Sequence, residues 1–152
     1  MESTMQAVML ALSTFRQSEL ATSKALDEAK KTNNLLLVYV VDVNLARYFI
    51  GSDQLVTEQL KNRCEEEILA EHKERGEKYV ENIETRARTS GISVKTVFQV
   101  GRFGLICVDI MQKVNPSVIV TTRSKRPEWV KKIFGSPVSY LIKHASCPVV
   151  EE

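Results

Sequence analysis

An α/β fold, a mostly parallel sheet with helices on both faces, follows from three observations. Two apolar runs, Ala7 to Leu12 and Leu35 to Val43, are too short for helices and lack the alternation of a half-exposed strand. Strands buried on both faces read this way. Strand-like and helix-like segments then alternate along the chain, with no internal repeat and no low-complexity linker, which demands right-handed crossovers between parallel strands. Finally, 152 residues fit one domain, large enough to bury roughly 70% of the surface of its unfolded chain.

The elements follow in order. Ala7 to Leu12 is the first strand. After the polar stretch Ser13 to Ser18, the residues Leu20, Ala21, Ala25, Leu26 and Ala29 recur at helical spacing, and Asn33-Asn34 closes that helix. Leu35 to Val43, rich in β-branched and aromatic residues, is a central parallel strand. Asn44 to Val56 has no clear period and reads as a loop carrying some apolar groups. Leu60, Cys64, Ile68, Leu69, Tyr79, Val80 and Ile83 mark one face of a long charged helix that has Gly76 as a weak point and ends at Ser90-Gly91. Val94, Thr96 and Phe98 alternate with their neighbours, as in an edge strand, and Gly101 turns the chain. Leu105, Ile106, Ile110 and Met111 form the next helical stripe, which Asn115-Pro116 breaks before the strand Val118-Ile119-Val120. Gly135-Ser136-Pro137 opens a last helix carrying Val138, Leu141 and Ile142, and Cys147 to Val150 closes the sheet.

Composition bounds the function. Hydrophobic residues at 43% and charged residues at 26% are ordinary for a globular chain. A net charge of +2, from 21 basic and 19 acidic side chains, gives no reason to expect nucleic acid or an anionic membrane as partner. Cys64, Cys107 and Cys147 are far apart and form no CxxC pair, so each is expected to be a small core residue rather than part of a metal cage or disulfide framework. No apolar run nears the ~20 residues of a membrane span. The start Met1-Glu2-Ser3-Thr4-Met5 lacks the basic region of a signal peptide, so the expected location is the cytoplasm.

The last third of the chain carries a more specific pattern. Asn115 to Val120, followed by Phe134-Gly135-Ser136-Pro137-Val138-Ser139-Tyr140-Leu141-Ile142-Lys143-His144-Ala145-Ser146-Cys147-Pro148-Val149-Val150, closely resembles the carboxyl-terminal signature of universal stress proteins. The Ser18-Glu19 pair, the strand end Tyr39-Val40-Val41-Asp42 and Gly101 agree with that family in order and spacing. The resemblance implies one universal stress protein domain over residues 1–152, with a doubly wound, Rossmann-like five-stranded parallel sheet in the order 3-2-1-4-5. It also implies a frequent homodimer and, in one branch, an ATP site.

That branch places an Asp at the end of the first strand and a Gly-x2-Gly-x9-Gly-Ser/Thr motif between the fourth strand and the last helix. Here Gly135-Ser136 is present, whereas the earlier glycine positions hold Thr122 and Lys125, and the Asp position corresponds to Ser13. Glycines in a phosphate loop permit positive φ and let backbone N–H groups approach phosphate closely. Thr122 and Lys125 forbid part of that geometry. The same loop concentrates Arg123, Lys125, Arg126, Lys131 and Lys132 against Glu128, so side chains could hold an anion where backbone does not.

Plainer roles stand beside these. Ser136, directly before Pro137, suits a helix N-cap as well as a phosphate contact. Trp129, Val130, Ile133 and Phe134 make a stacking platform for bases, a membrane-surface helix, or a turn that folds onto its own domain, a sister subunit or a partner protein. His72 and His144 have no nucleophile arranged with them by sequence, so no catalytic residue and no metal site are expected.

Two functions of different class follow. One is a non-catalytic regulatory or stress-response binding module, a homodimer pairing through Pro148, Val149 and Val150. The other is a protein binding ATP or another anionic nucleotide, with weak ATP hydrolysis conceivable, through Ser13, the Val40 main chain, Thr122, Arg123, Lys125, Gly135 and Ser136.

Overall fold

The computed structural model describes residues 6–14, 16–42, 58–123 and 137–152. Its elements alternate as β1 (Val8–Ser13), α1 (Glu19–Thr32), β2 (Asn34–Asp42), α2 (Glu58–Thr89), β3 (Ser93–Gly101), α3 (Phe103–Val114), β4 (Val118–Thr121), α4 (Pro137–His144) and β5 (Val149–Glu151). The strands form one sheet in the order β3-β2-β1-β4-β5, all neighbours parallel. The stretch expected to be a loop, Asn44 to Val56, lies outside the described residues.

The apolar runs become the centre of the sheet because both their faces must be dry. All six residues of β1 are buried, with β2 on one edge and β4 on the other. Side chains alternate across a strand, so Val8, Leu10 and Leu12 join Leu35, Leu37, Tyr39 and Val41 on the face covered by α1 and α2. Met9 and Ala11 join Leu36, Val38 and Val40 on the face covered by α3 and α4. Two cores therefore share β1 and β2. The edge character expected for the third strand holds: β3 has no fully buried residue, and β5 closes the opposite edge.

Three helix stops have a local cause. Asn33 takes φ 59° and donates its N–H to the Ala29 carbonyl, and Asn115 does the same at φ 51° to Met111. At the end of α2, Gly91 has φ 78°; its N–H bonds to Arg88 O at 3.0 Å while the Ile92 N–H reaches back to Ala87 O at 2.9 Å. This is a Schellman stop, and buried Ala87 and Ile92 supply the hydrophobic contact that accompanies it. At the start of α1, Ser18 accepts a hydrogen bond from the Ala21 N–H at 3.1 Å and thereby caps the helix.

Three sequence expectations change. Leu20 is 70% exposed and Leu105 is 51% exposed, so neither belongs to its helix's inner stripe. Thr22 is buried on α1, and Phe103, Cys107 and Val108 are buried on α3. Gly76, read as a weak point, is instead a close-approach site. A Cβ there would lie 2.6 Å from Tyr39 Cε1 and 3.1 Å from the Phe98 ring. Tyr39 is completely buried and stacked on Phe98, with ring centroids 5.4 Å apart and planes 4° from parallel, so its ring has little room to yield.

This decides the sign of a substitution. Gly to Ala within a helix ordinarily gains ~1 kcal/mol, whereas overpacking a filled core costs ~1–3 kcal/mol. Gly76→Ala is expected to lower the unfolding free energy by about 1 kcal/mol. Urea denaturation measures this directly, and a stabilised variant would show that the Tyr39 ring moves freely.

Candidate functional site

In an open doubly wound sheet, ligands sit beyond the carboxyl ends of the strands where the strand order reverses. Here that place lies between β1 and β4: the chain leaves β1 toward the α1 face and β4 toward the α4 face. Four residues expected at the site can be located there.

Ser13 ends β1 and is only 4% exposed. Its N–H donates to Arg16 O at 3.3 Å and its carbonyl accepts from Arg16 N at 2.9 Å, closing a tight turn over the strand end. Val40 is its register partner on β2. The Val40 carbonyl accepts from the Thr14 N–H at 3.2 Å, so the β1–α1 turn already uses one of its two lone pairs. A ligand meeting Val40 main chain would share this group.

Thr121 and Thr122 have opposite fates. Thr121, fully buried, donates its hydroxyl to Ala11 O at 2.8 Å and fastens β4 to β1. Thr122 is 6% exposed, and its Oγ1 is buried with no hydrogen-bond partner among the described residues. Among the described residues only Asn33 and Asn115 are non-glycine residues with positive φ, so Thr122 leaves β4 with ordinary backbone where a phosphate-loop glycine is free to turn. Arg123 is exposed, and its N–H bonds to Glu152 O at 3.1 Å. The Glu152 N–H returns to Thr121 O at 3.0 Å, and Ser18 Oγ donates to Glu152 O at 3.4 Å. The described structure thus brings Ser13 and Val40 together and puts Thr122 directly after β4, the strand on the other side of β1. Lys125, Gly135 and Ser136 lie outside the described residues, as does Trp129.

Sequence reasoning missed Arg16, Gln17 and Tyr39. The Arg16 guanidinium lies 5.6 Å from the centre of the Phe103 ring, spanning from the β1–α1 turn to the start of α3. Gln17 Nε2 donates to the Tyr39 hydroxyl at 2.9 Å. Burial pushes the Tyr39 phenol above its usual range, and the Gln17 bond opposes that in part. An arginine and a glutamine just before the Ser18 cap were the available signal.

Other reactive types are occupied or sealed. His144 Nδ1 lies 2.9 Å from Tyr140 O, with its ring against the Tyr140 ring. Cys107 is fully buried, and burial pushes its thiol up to about 12; Cys147, partly buried, is also raised. Among the described residues no group of three His, Cys, Asp or Glu side chains is placed to hold a metal, and no helix is long and apolar enough to cross a membrane.

A doubly wound parallel domain whose strand order reverses between β1 and β4 is the class these features define. The sequence profile of the universal stress protein family matches residues 5–150, and the chain belongs to that family. Universal stress protein UspA from Lactobacillus plantarum has a similar structure, at 21% identity and TM-score 0.70, over 98% of this chain and 99% of that one. A universal stress protein in complex with cAMP is similar at 12% identity and TM-score 0.60, over 98% of both chains. An Arabidopsis thaliana family member with AMP bound is similar at 13% identity and TM-score 0.54, over 95% of this chain and 90% of that one. At these identities the likeness is one of fold. No curated protein matches the chain in sequence.

The two threonines give a paired test. A buried hydroxyl without a partner forfeits its hydration, so Thr122→Val is expected to leave the melting temperature unchanged or raise it. Thr121→Val removes the bond to Ala11 O and is expected to cost about 1 kcal/mol. Thermal melts of both variants check this; equal losses would mean that the Thr122 hydroxyl is bonded in solution. Separately, Cys107 is expected to resist a disulfide reagent at pH 8 until the protein unfolds, as peptide mass mapping would show, because only the thiolate attacks.

Proposed function

We propose that the chain is a single-domain, non-catalytic binding module of the cytoplasm, a homodimer whose switch-point crevice holds ATP or another anionic nucleotide. The observation that supports this best is the Thr122 hydroxyl, buried and unpartnered at the end of β4, because a buried donor without a partner is uncommon unless something else satisfies it. Neighbours of the same fold were solved with cAMP and with AMP, which favours a nucleotide as that occupant. Ser13 and the second lone pair of Val40 O face the base and ribose in this reading. Arg123, with Lys125 and Ser136 of the following loop, takes the phosphates. Side chains replace the glycine backbone there, so affinity falls as salt rises.

Titration calorimetry with ATP, ADP, AMP and cAMP, with and without magnesium, tests the reading. Binding that weakens in Arg123→Gln and in Thr122→Val is expected, with no turnover of ATP. Absence of heat and of any thermal shift at millimolar nucleotide would reject it.

The dimer in this proposal pairs through β5. Val149 and Glu151 alternate with Val150 along the strand, and Val150 pairs inward with Val120, so the N–H groups of Val149 and Glu151 point away from β4. Such an apolar edge needs a partner or a cover. Light scattering is expected to give a dimer at micromolar concentration, and Glu151→Pro, which removes one outward N–H, a monomer with little change in melting temperature. A monomeric parent protein would sink the dimer.

A further inference from the structure

On the face covered by α1 and α2, a cavity of about 410 Å³ lies between the β1–α1 turn and α2. Thr14, Gln17 and Tyr39 line it from the sheet side. His72, Arg75, Lys78 and Tyr79 line it from the helix. Gly76, lacking a side chain in the middle of this helical stretch, lets α2 sit directly on the Tyr39 ring and sets the depth of the floor.

The two walls differ in chemistry. The sheet side offers neutral hydrogen-bonding groups: the Gln17 amide, the Tyr39 hydroxyl it bonds, and the Thr14 hydroxyl beside that phenol. The helix side offers cations at the rim. Arg75 pairs with Glu71 and Lys78 with Glu74 at 3.7 Å, each one turn earlier on α2. Both pairs are exposed on both partners, and exposed pairs of this spacing are among the weakest ion pairs in proteins. A phosphate at the rim can accept charge-assisted hydrogen bonds from the same two cations. The volume falls within the range of small-molecule sites.

We propose that this cavity is a second ligand site, for a sugar phosphate or similar polyhydroxylated phosphomonoester. The phosphate sits between Arg75 and Lys78, and the sugar hydroxyls meet Thr14, Gln17 and Tyr39. Thr122 and Arg123 line none of this cavity, which adjoins the Ser13–Val40 pair through Thr14.

The test is a titration of the ¹⁵N-labelled full chain with ribose 5-phosphate, with ribose and inorganic phosphate as controls. Amide shifts are expected at Thr14 to Gln17 and at His72 to Tyr79, with affinity at least about tenfold weaker in the double variant Arg75→Gln/Lys78→Gln. Both side chains are exposed, so the double variant keeps the fold, which its unshifted core amides verify. Thr122→Val is expected to leave this binding intact even if nucleotide binding is lost. The proposal is overturned if ribose or inorganic phosphate alone binds as tightly, if shifts centre on Thr121 to Arg123, if the double variant binds equally, or if millimolar ligand shifts nothing.

Discussion

Strand β1 is the constraint on which the rest depends. It is paired along both edges and covered on both faces, so it can hold only apolar or internally bonded side chains, and Val8 to Leu12 are all apolar. A strand in this position fixes the sheet's centre, forces the first two helices to one face and the later two to the other, and leaves the reversal of strand order immediately beside its own end. Ser13, still buried at that end, is held by its backbone bonds to Arg16. Thr121 shows the same rule at work, since its hydroxyl is tolerated in the core only by bonding to the β1 backbone.

Much of this was legible in the sequence for a physical reason. Burial on both faces removes the alternation of polar residues, and the runs at Ala7 and Leu35 show that directly. Helix stops were legible too, since Asn33, Gly91 and Asn115 all take the left-handed conformation that few residues tolerate. Helix faces were less so. A spacing of three and four places residues on a common stripe but does not say how far that stripe rotates toward the sheet, which is why Leu20 and Leu105 were assigned inward and lie outward. Gly76 failed for another reason: its partner Tyr39 is on β2, and no local pattern records a contact between a helix and a strand so distant in the chain.

The site divides in the same way. Ser13 and Val40 became register partners because the strands carrying them are adjacent, which the family resemblance implied and the sheet shows. The replacement of a loop glycine by Thr122 was visible as a letter, while its consequence, a hydroxyl sealed without a partner, required the packing of β4 against its neighbours. Arg16, Gln17 and Tyr39 were passed over because two stood in a polar turn and one in an apolar run. Only their contacts, Gln17 with Tyr39 and Arg16 with Phe103, give them meaning.

The backbone of Glu152 joins three places that are otherwise separate. It bonds to Thr121 and Arg123 at the exit of β4, and its carbonyl receives the hydroxyl of Ser18, which also caps α1. The outer edge of the sheet, the rim of the crevice and the start of the first helix thus meet at one residue. Thermodynamic coupling is reciprocal. Whatever free energy an occupant of the crevice lends to order along that edge, a second molecule seated on the edge returns in equal measure to the occupant.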